Sequence, residues 1–246
     1  DEIDIIKSEN IIIENNLYYD CEVSISAGGN LSWNNGSRWK NMFVLNNAIT
    51  AGGESQQTRR TLGWGIDMQD WDTGVLAGNV FIGTDNPAVN NTYSWKLMGH
   101  TRDVSINHNV SFNSSSSGET TAKAVLFKED YDGSIQNVSH HNNWIQNYSS
   151  TGEMLIDETT SGISHTSNKF FSMNGSPAED FSNATGDYAD FDDWNINHTD
   201  GSNSLVLQNF LDPNRTAITY LATIGSPATK ASFFELIRSQ SILNWN

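Results

Sequence analysis

The sequence predicts an all-β fold, a parallel β-helix of about six coils closed by a C-terminal α-helical cap. Three observations predict it. Asparagine recurs at one phase of a repeated pattern, at Asn16, Asn47, Asn79, Asn109, Asn143 and Asn168, with separations of 31, 32, 30, 34 and 25 residues. Mostly apolar or small residues stand five and three positions before each, as Ile11 and Ile13, Met42 and Val44, and Val104 and Ile106 do. A second alternating run precedes each such unit from the second repeat on, and CEVSIS at 21–26 follows the first. A period near 30 residues with one supersecondary unit per repeat marks a solenoid.

The repeats are β-branched or aromatic alternations of period two, broken by Gly, Asn, Asp and Ser, which argues strands rather than helices. The second runs are CEVSIS, GIDMQD, SWKLMG, AVLFKE and EMLIDE. Each coil then reads strand, turn, strand, Asn turn, strand. The asparagine has a physical task there. Its amide carries donors and an acceptor, so stacked copies bond to one another and to the turn backbone. An inward-facing turn needs that, because its backbone groups are otherwise buried unpaired.

These coils occupy residues 1–175. Residues 176–211 are acidic and turn-rich and read as an irregular capping loop, with Phe181, Tyr188, Phe191 and Trp194 as plugs. Residues 212–246 read as two helices, one starting with Pro213 in its first turn and ending at Gly225, the other over about 228–241. They serve to cover the last open coil. No comparable cap precedes Ile5, so a missing N-terminal segment or partner chain is expected.

The chain has 246 residues and a hydrophobic content of 37%, low for a two-layer domain and tolerable for an elongated fold with a thin core. Thirteen Lys and Arg against 29 Asp and Glu give a formal charge of −16. That opposes binding to nucleic acid or to an anionic membrane and suits a secreted or cell-surface protein. No signal peptide opens the chain, and no stretch is long and apolar enough to span a bilayer. The single Cys21 excludes an internal disulfide framework and reads as a buried thiol in a strand. N-x-S/T triplets such as Asn35, Asn90 and Asn147 arise by chance in so Asn-, Ser- and Thr-rich a chain and predict little glycosylation.

With GWGIDMQDWDTGVLAGNVF and the terminal LDPNRT, YLATIG and SFFELIRSQS segments, the Asn-closed coils resemble bacterial right-handed parallel β-helix proteins of the pectate-lyase-like superfamily. The resemblance covers most of the chain. It implies the right-handed sense, secretion and action on polysaccharides as lyase, hydrolase or epimerase. No signature of one lyase or hydrolase family is legible, so it implies no catalytic residue.

Outward positions of successive coils form columns roughly 5 Å apart, so distant residues line one groove. Taking Ile66, Met68, Trp95, Leu97, Val125, Phe127 and Ile156 as inward, one column reads Asp67, Lys96, Lys128, Asp157. A neighbouring column holds Asp70, His100 and Asp130, with Arg102 nearby. A lyase needs a base beside the uronate carboxyl and positive charge, or calcium, at the enolate. Lys96, Lys128, His100 and Arg102 are the catalytic candidates, and stacked Lys96 and Lys128 would depress each other's pKa. Asp67, Asp70, Trp71, Trp95 and Asp130 are the candidates for substrate binding, with Trp71 the tryptophan expected to be most exposed. Pairs among Asp67, Asp70, Asp130 and Asp157 serve the hydrolase alternative. Calcium donors are sought in Glu129, Asp130 and Asp132 or in Asp190, Asp192 and Asp193. His140 and His165 share the inward phase and read as stacked core histidines.

The expected function is therefore cleavage of an acidic polysaccharide by β-elimination. The alternative is a non-catalytic β-helix that binds glycan or acts as a structural or self-associating module.

Overall fold

The structure, a computed structural model, describes residues 6–27, 38–50, 62–82, 91–113, 123–129, 133–147, 153–159, 161–172, 181–183, 186–187 and 190–206. The strands are numbered β1 to β20 along the chain and lie in three sheets. Sheet A stacks β1 (Ile6–Glu14), β4 (Arg38–Leu45), β7 (Trp71–Ala77), β10 (Arg102–Asn107), β13 (Val138–His141) and β16 (Ile163–Thr166). Sheet B stacks β2 (Leu17–Tyr19), β5 (Ala48–Thr50), β8 (Val80–Ile82), β11 (Val110–Asn113), β14 (Trp144–Asn147), β17 (Lys169–Ser172) and β20 (Ser204–Val206). Sheet C stacks β3 (Val23–Ala27), β6 (Leu62–Gln69), β9 (Asn91–Met98), β12 (Lys123–Lys128), β15 (Glu153–Glu158), β18 (Phe181–Asn183) and β19 (Gly186–Asp187). Among the described strands every pairing is parallel except that of β18 with β19.

This is a parallel β-solenoid, as the repeats predict. It has about four turns rather than six. Only the coils β4–β6, β7–β9, β10–β12 and β13–β15 have a neighbouring coil on both sides in all three sheets, which the repeat count alone does not distinguish from end coils.

The Asn column is the seam of the fold. The backbone N–H and the side-chain Nδ2 of each asparagine both donate to Oδ1 of the next, at 2.9–3.1 Å, from Asn16 through Asn168. From Asn47 on, Nδ2 also reaches back to a carbonyl of the preceding coil, at Ile13, Val44, Leu76, Ile106, His140 and His165, at 2.8–3.0 Å. The residue before each rung, Asn15, Asn46, Gly78, His108, Asn142 or Ser167, has a positive φ of 52–66°. That left-handed step turns the chain so that the next side chain points inward; Gly and Asn take it at least cost. A second positive-φ column stands six residues before the rungs, at Asn10, Asn41, Thr73, Asp103, Asn137 and Gly162.

Asn203 is a seventh rung, 35 residues after Asn168, which sequence reasoning missed. Its coil lacks the apolar pair because the place of the sheet-A strand is taken by a helix, α1 (Phe191–His198). Within the stretch read as an irregular capping loop, 176–211, the described residues hold this helix and the strands β18, β19 and β20. The acidic run that looked loop-like caps the helix: Asp190 Oδ1 accepts from the Asp193 amide at 2.8 Å, and Asp192 and Asp193 sit in the first turn, where the helix dipole favours carboxylates. Phe191 and Trp194 plug the last described coil as expected. Trp194 is fully buried and stacks on Phe181 at 4.6 Å. Asn195 ends the ladder by accepting from Asn203 Nδ2 at 3.1 Å. Tyr188 and the helices expected over 212–246 lie outside the described residues.

The lumen is apolar in its early coils and mixed later. Ile66, Met68, Leu76, Trp95, Leu97 and Phe127 are among its fully buried side chains. Cys21 is half-buried rather than buried, with Sγ 3.6 Å from the Tyr19 carbonyl. Among the described residues no helix is long and apolar enough to cross a membrane.

Candidate functional site

The candidate residues gather where sheet C hands over to sheet A. The strands β6, β9, β12 and β15 fix their columns. Ile66, Trp95, Val125 and Leu155 share one, Asp67, Lys96, Leu126 and Ile156 the next, and Met68, Leu97, Phe127 and Asp157 the third. The predicted column Asp67, Lys96, Lys128, Asp157 is therefore corrected after its first two members. Lys128 lies two positions along, with Gln69, Met98 and Glu158. Asp157 faces inward, because Leu155 rather than Ile156 continues the column of Val125. Lys96 and Lys128 do not stack.

Each lysine has its own carboxylate. Lys96 is buried, its Nζ 3.1 Å from Asp67 Oδ1 and 4.0 Å from the centre of the Trp64 ring. The approach to Asp67 is an ion pair without an aligned hydrogen bond. The Trp64 face supplies the second attraction, and Trp64 Nε1 is held by Asn91 Oδ1 at 3.1 Å. Lys128 pairs with Glu158 at 3.1 Å; both are about a third exposed, at 36% and 34%.

The corner that follows is built by left-handed residues, Asp70 in one coil and Gly99 in the next. Asp70 is buried, and its Oδ1 accepts from the His100 amide at 3.1 Å. Thr101, fully buried, donates from Oγ1 to the Met98 carbonyl at 3.0 Å. Arg102 stands opposite Asp72 in register and clasps it with two bonds, Nε to Oδ1 at 3.0 Å and Nη2 to Oδ2 at 2.7 Å. The Arg102 side chain is 40% exposed while that of Asp72 is 7% exposed. His100 is half-buried. The corner thus presents His100, Arg102 and Lys128 on two neighbouring coils, since the Gly99 amide bonds the Lys128 carbonyl at 3.3 Å. The expected proximity of Asp70, His100 and Arg102 is present; Asp130 lies outside the described residues.

The two tryptophans move the other way. Trp71 and Trp95 have no exposed surface. Trp71 was expected to be exposed because it follows a turn acid, but the left-handed Asp70 turns it into the lumen, where it leans on the backbone of Gly74. Neither ring offers a face to a sugar.

Two groupings were not read as sites from the sequence. In the lumen, Asp157 Oδ2 meets His165 Nε2 at 3.0 Å, and the two Nδ1 atoms of His165 and His140 are 3.1 Å apart. All three residues are at most 1% exposed. Burial, and then the charges of His165 and His141, hold the His140 pKa well below the ordinary imidazole value, with Asp157 opposing. Matching AVLFKE to EMLIDE end to end sets Ile156 beside Phe127; the observed register pairs KAVLFK (123–128) with EMLIDE (153–158), one residue along, and so sets Asp157 beside Phe127 and inside. On the outside of sheet A, His108 and His141 meet edge to face at 6.2 Å, beside Ser105 and Asn107.

Of the residues named for calcium, Glu129, Asp190, Asp192 and Asp193 are described. Asp67, Asp70 and Asp72 each face a protein partner, Asp190 and Asp193 serve α1, and no described group of three or more His, Cys, Asp or Glu side chains converges on one point. Asp132 is outside the described residues.

Compared with models of protein families, with curated proteins and with solved structures, the chain matches none of them. Its function is argued from its own residues.

Proposed function

We propose that this is a secreted, carbohydrate-active β-solenoid of the right-handed, pectate-lyase-like kind that engages an acidic polysaccharide along the corner between sheets C and A. The observation that carries the reading is the placement of His100, Arg102 and Lys128 together there, half-exposed, in a chain of net charge −16. Arg102 and Lys128 are each paired with a carboxylate, and their part-exposed side chains offer N–H donors to a polyanion, so selection is by position rather than by bulk charge. The polymer's carboxylates approach Arg102 and Lys128 from the solvent side while Asp72 and Glu158 hold those side chains in place.

Binding without cleavage is the form of this reading that the geometry supports best, because of the two lysines expected as base Lys96 is buried against Asp67 and Trp64 and Lys128 is paired with Glu158. Elimination is the second reading. It is favoured by His100, an imidazole beside the cation Arg102, as base and enolate partner respectively.

Affinity electrophoresis through gels containing polygalacturonate, alginate or a neutral glucan tests the first reading. We expect retardation by the acidic polymers alone, weakened by salt and by Lys128→Ala and His100→Ala. Equal mobility in all gels would refute it. Ultraviolet absorbance from unsaturated uronate during incubation with the same polymers, abolished by His100→Ala, would establish the second.

A further inference from the structure

The outward face of sheet A changes character along the solenoid. Four residues before the ladder the outward positions are Ile12, Phe43 and Val75 on the first three coils, then Ser105, Ser139 and Ser164. Two residues before the ladder, Leu45 and Ala77 give way to Asn107 and His141. Ser105 stands at the boundary, with apolar Val75 beside it on one coil and hydroxyl-bearing Ser139 on the next.

At that boundary the side chains form one hydrogen-bonded chain. Ser105 Oγ lies 3.2 Å from His141 Nε2, and His141 Nδ1 lies 3.1 Å from the side-chain amide of Asn142. Asn107 Nδ2 donates to Ser105 Oγ at 2.8 Å, and His108 Nδ1 is 2.9 Å from Asn107 Oδ1. The directions follow from the donor inventory. Ser105 accepts from Asn107, so its own hydrogen is available for His141 Nε2. That requires the His141 proton on Nδ1; Asn142 Nδ2 is the atom that faces it at 3.1 Å, and the site takes the amide turned by a half-rotation, so that its oxygen accepts from Nδ1–H. Asn142 is held at a left-handed turn, φ 55°, which fixes where its amide can reach. Partial burial, and the nearby His108, lower the His141 pKa, which keeps the ring neutral and able to take a proton. Ser105, Asn107, His141 and Asn142 are all half-exposed, so a substrate reaches them without any opening of the solenoid.

We propose that Ser105, His141 and Asn142 form an acyl-transfer site for carboxylic esters whose acyl part is apolar and whose alcohol is hydroxyl-rich, such as an acylated sugar. Ser105 is the nucleophile, His141 the base and Asn142 a positioning residue. As Oγ bonds to the ester carbonyl carbon, its proton passes to His141 Nε2. The carbonyl–alkoxy bond then breaks, and the departing alkoxide takes that proton and leaves as the alcohol. Water repeats the sequence on the acyl-serine, yielding the carboxylic acid and restoring Ser105. Asn107 Nδ2, 2.8 Å from Ser105 Oγ, is the donor assigned to the oxygen that gains charge. The acyl group lies toward Val75 and Phe43, and the alcohol toward Ser139. The site is separate from the corner of His100, Arg102 and Lys128, and it acts on substituents of a glycan rather than on its backbone.

The test uses the full chain with a fluorophosphonate probe and peptide mass mapping. We expect one adduct per chain, on Ser105, absent in Ser105→Ala and unchanged in Ser164→Ala, the outward serine two coils on. His141→Ala should slow labelling roughly a hundredfold, the scale of general-base assistance. Asn142→Ala should slow it and move the midpoint of its pH profile downward, because the imidazolium loses its acceptor. Hydrolysis of p-nitrophenyl butyrate should follow the same order. No adduct on the wild-type chain, or an adduct that persists in Ser105→Ala, would overturn the proposal, and the first of these results uses no variant.

Discussion

Replacing one interior rung of the asparagine ladder tests the central physical claim about this fold. Asn109 is fully buried. Its Oδ1 accepts from the backbone N–H and Nδ2 of Asn79, both at 3.0 Å, and its Nδ2 donates to the Leu76 carbonyl at 2.9 Å and to Asn143 Oδ1 at 3.0 Å. In Asn109→Ala these four bonds vanish, but not all partners are stranded. Asn79 Nδ2 keeps the carbonyls of Val44 and Ala77, and Asn143 Oδ1 keeps the Asn109 amide. The Asn79 backbone N–H loses its partner inside the solenoid. With three of the bonds worth ~1 kcal/mol each and the fourth leaving a stranded buried group that costs ~1–3 kcal/mol, the loss is about 4–6 kcal/mol. Asn109→Asp keeps the shape and Oδ1 but turns an oxygen toward the Leu76 carbonyl and Asn143 Oδ1, and buries a charge; it should destabilise at least as much. Asn16→Ala, at the exposed end rung, should cost under ~1 kcal/mol. The assay is the urea midpoint together with hydrogen exchange at the Asn79 amide, because a solenoid can open coil by coil. A stable Asn109→Asp, or an Asn109→Ala shift no larger than that of Asn16→Ala, would show that the column is shape-filling and refute the ladder account.

Two further outcomes follow from the lumen. His140 resists protonation when folded, while the unfolded chain takes a proton near the ordinary imidazole value of about 6.5, so stability is full above that pH and falls below it, by at most ~1.4 kcal/mol per pH unit. The urea midpoint should drop between pH 6.5 and 5 in the wild type and drop less in His140→Phe; equal slopes would contradict this. Gly74→Ala would drive a methyl into the Met42 carbonyl and the Trp71 ring, so it should lower stability by about 3 kcal/mol and quench or shift tryptophan fluorescence; an unchanged midpoint would show that Trp71 has room to move.

The sequence by itself determined the solenoid, its three strands per coil and the phase of the ladder. These are local signals: period-two alternation, a turn-forming Asn, and the same spacing repeated. It also determined that His140 and His165 point inward, since both stand three residues before a rung. The tertiary structure decided the register of sheet C, and with it the fate of the proposed column. A strand such as EMLIDE can present either of two faces, and a slip of one residue exchanges them; only the pairing of Leu155 with Val125 settles that Asp157 is inside and Lys128 is beside Glu158. The structure likewise decided the burial of Trp71, because a left-handed Asp70 aims the next side chain by backbone geometry that no composition reveals. The Ser105–His141 contact joins residues 36 apart on neighbouring coils, and the stacking of those coils brings it about.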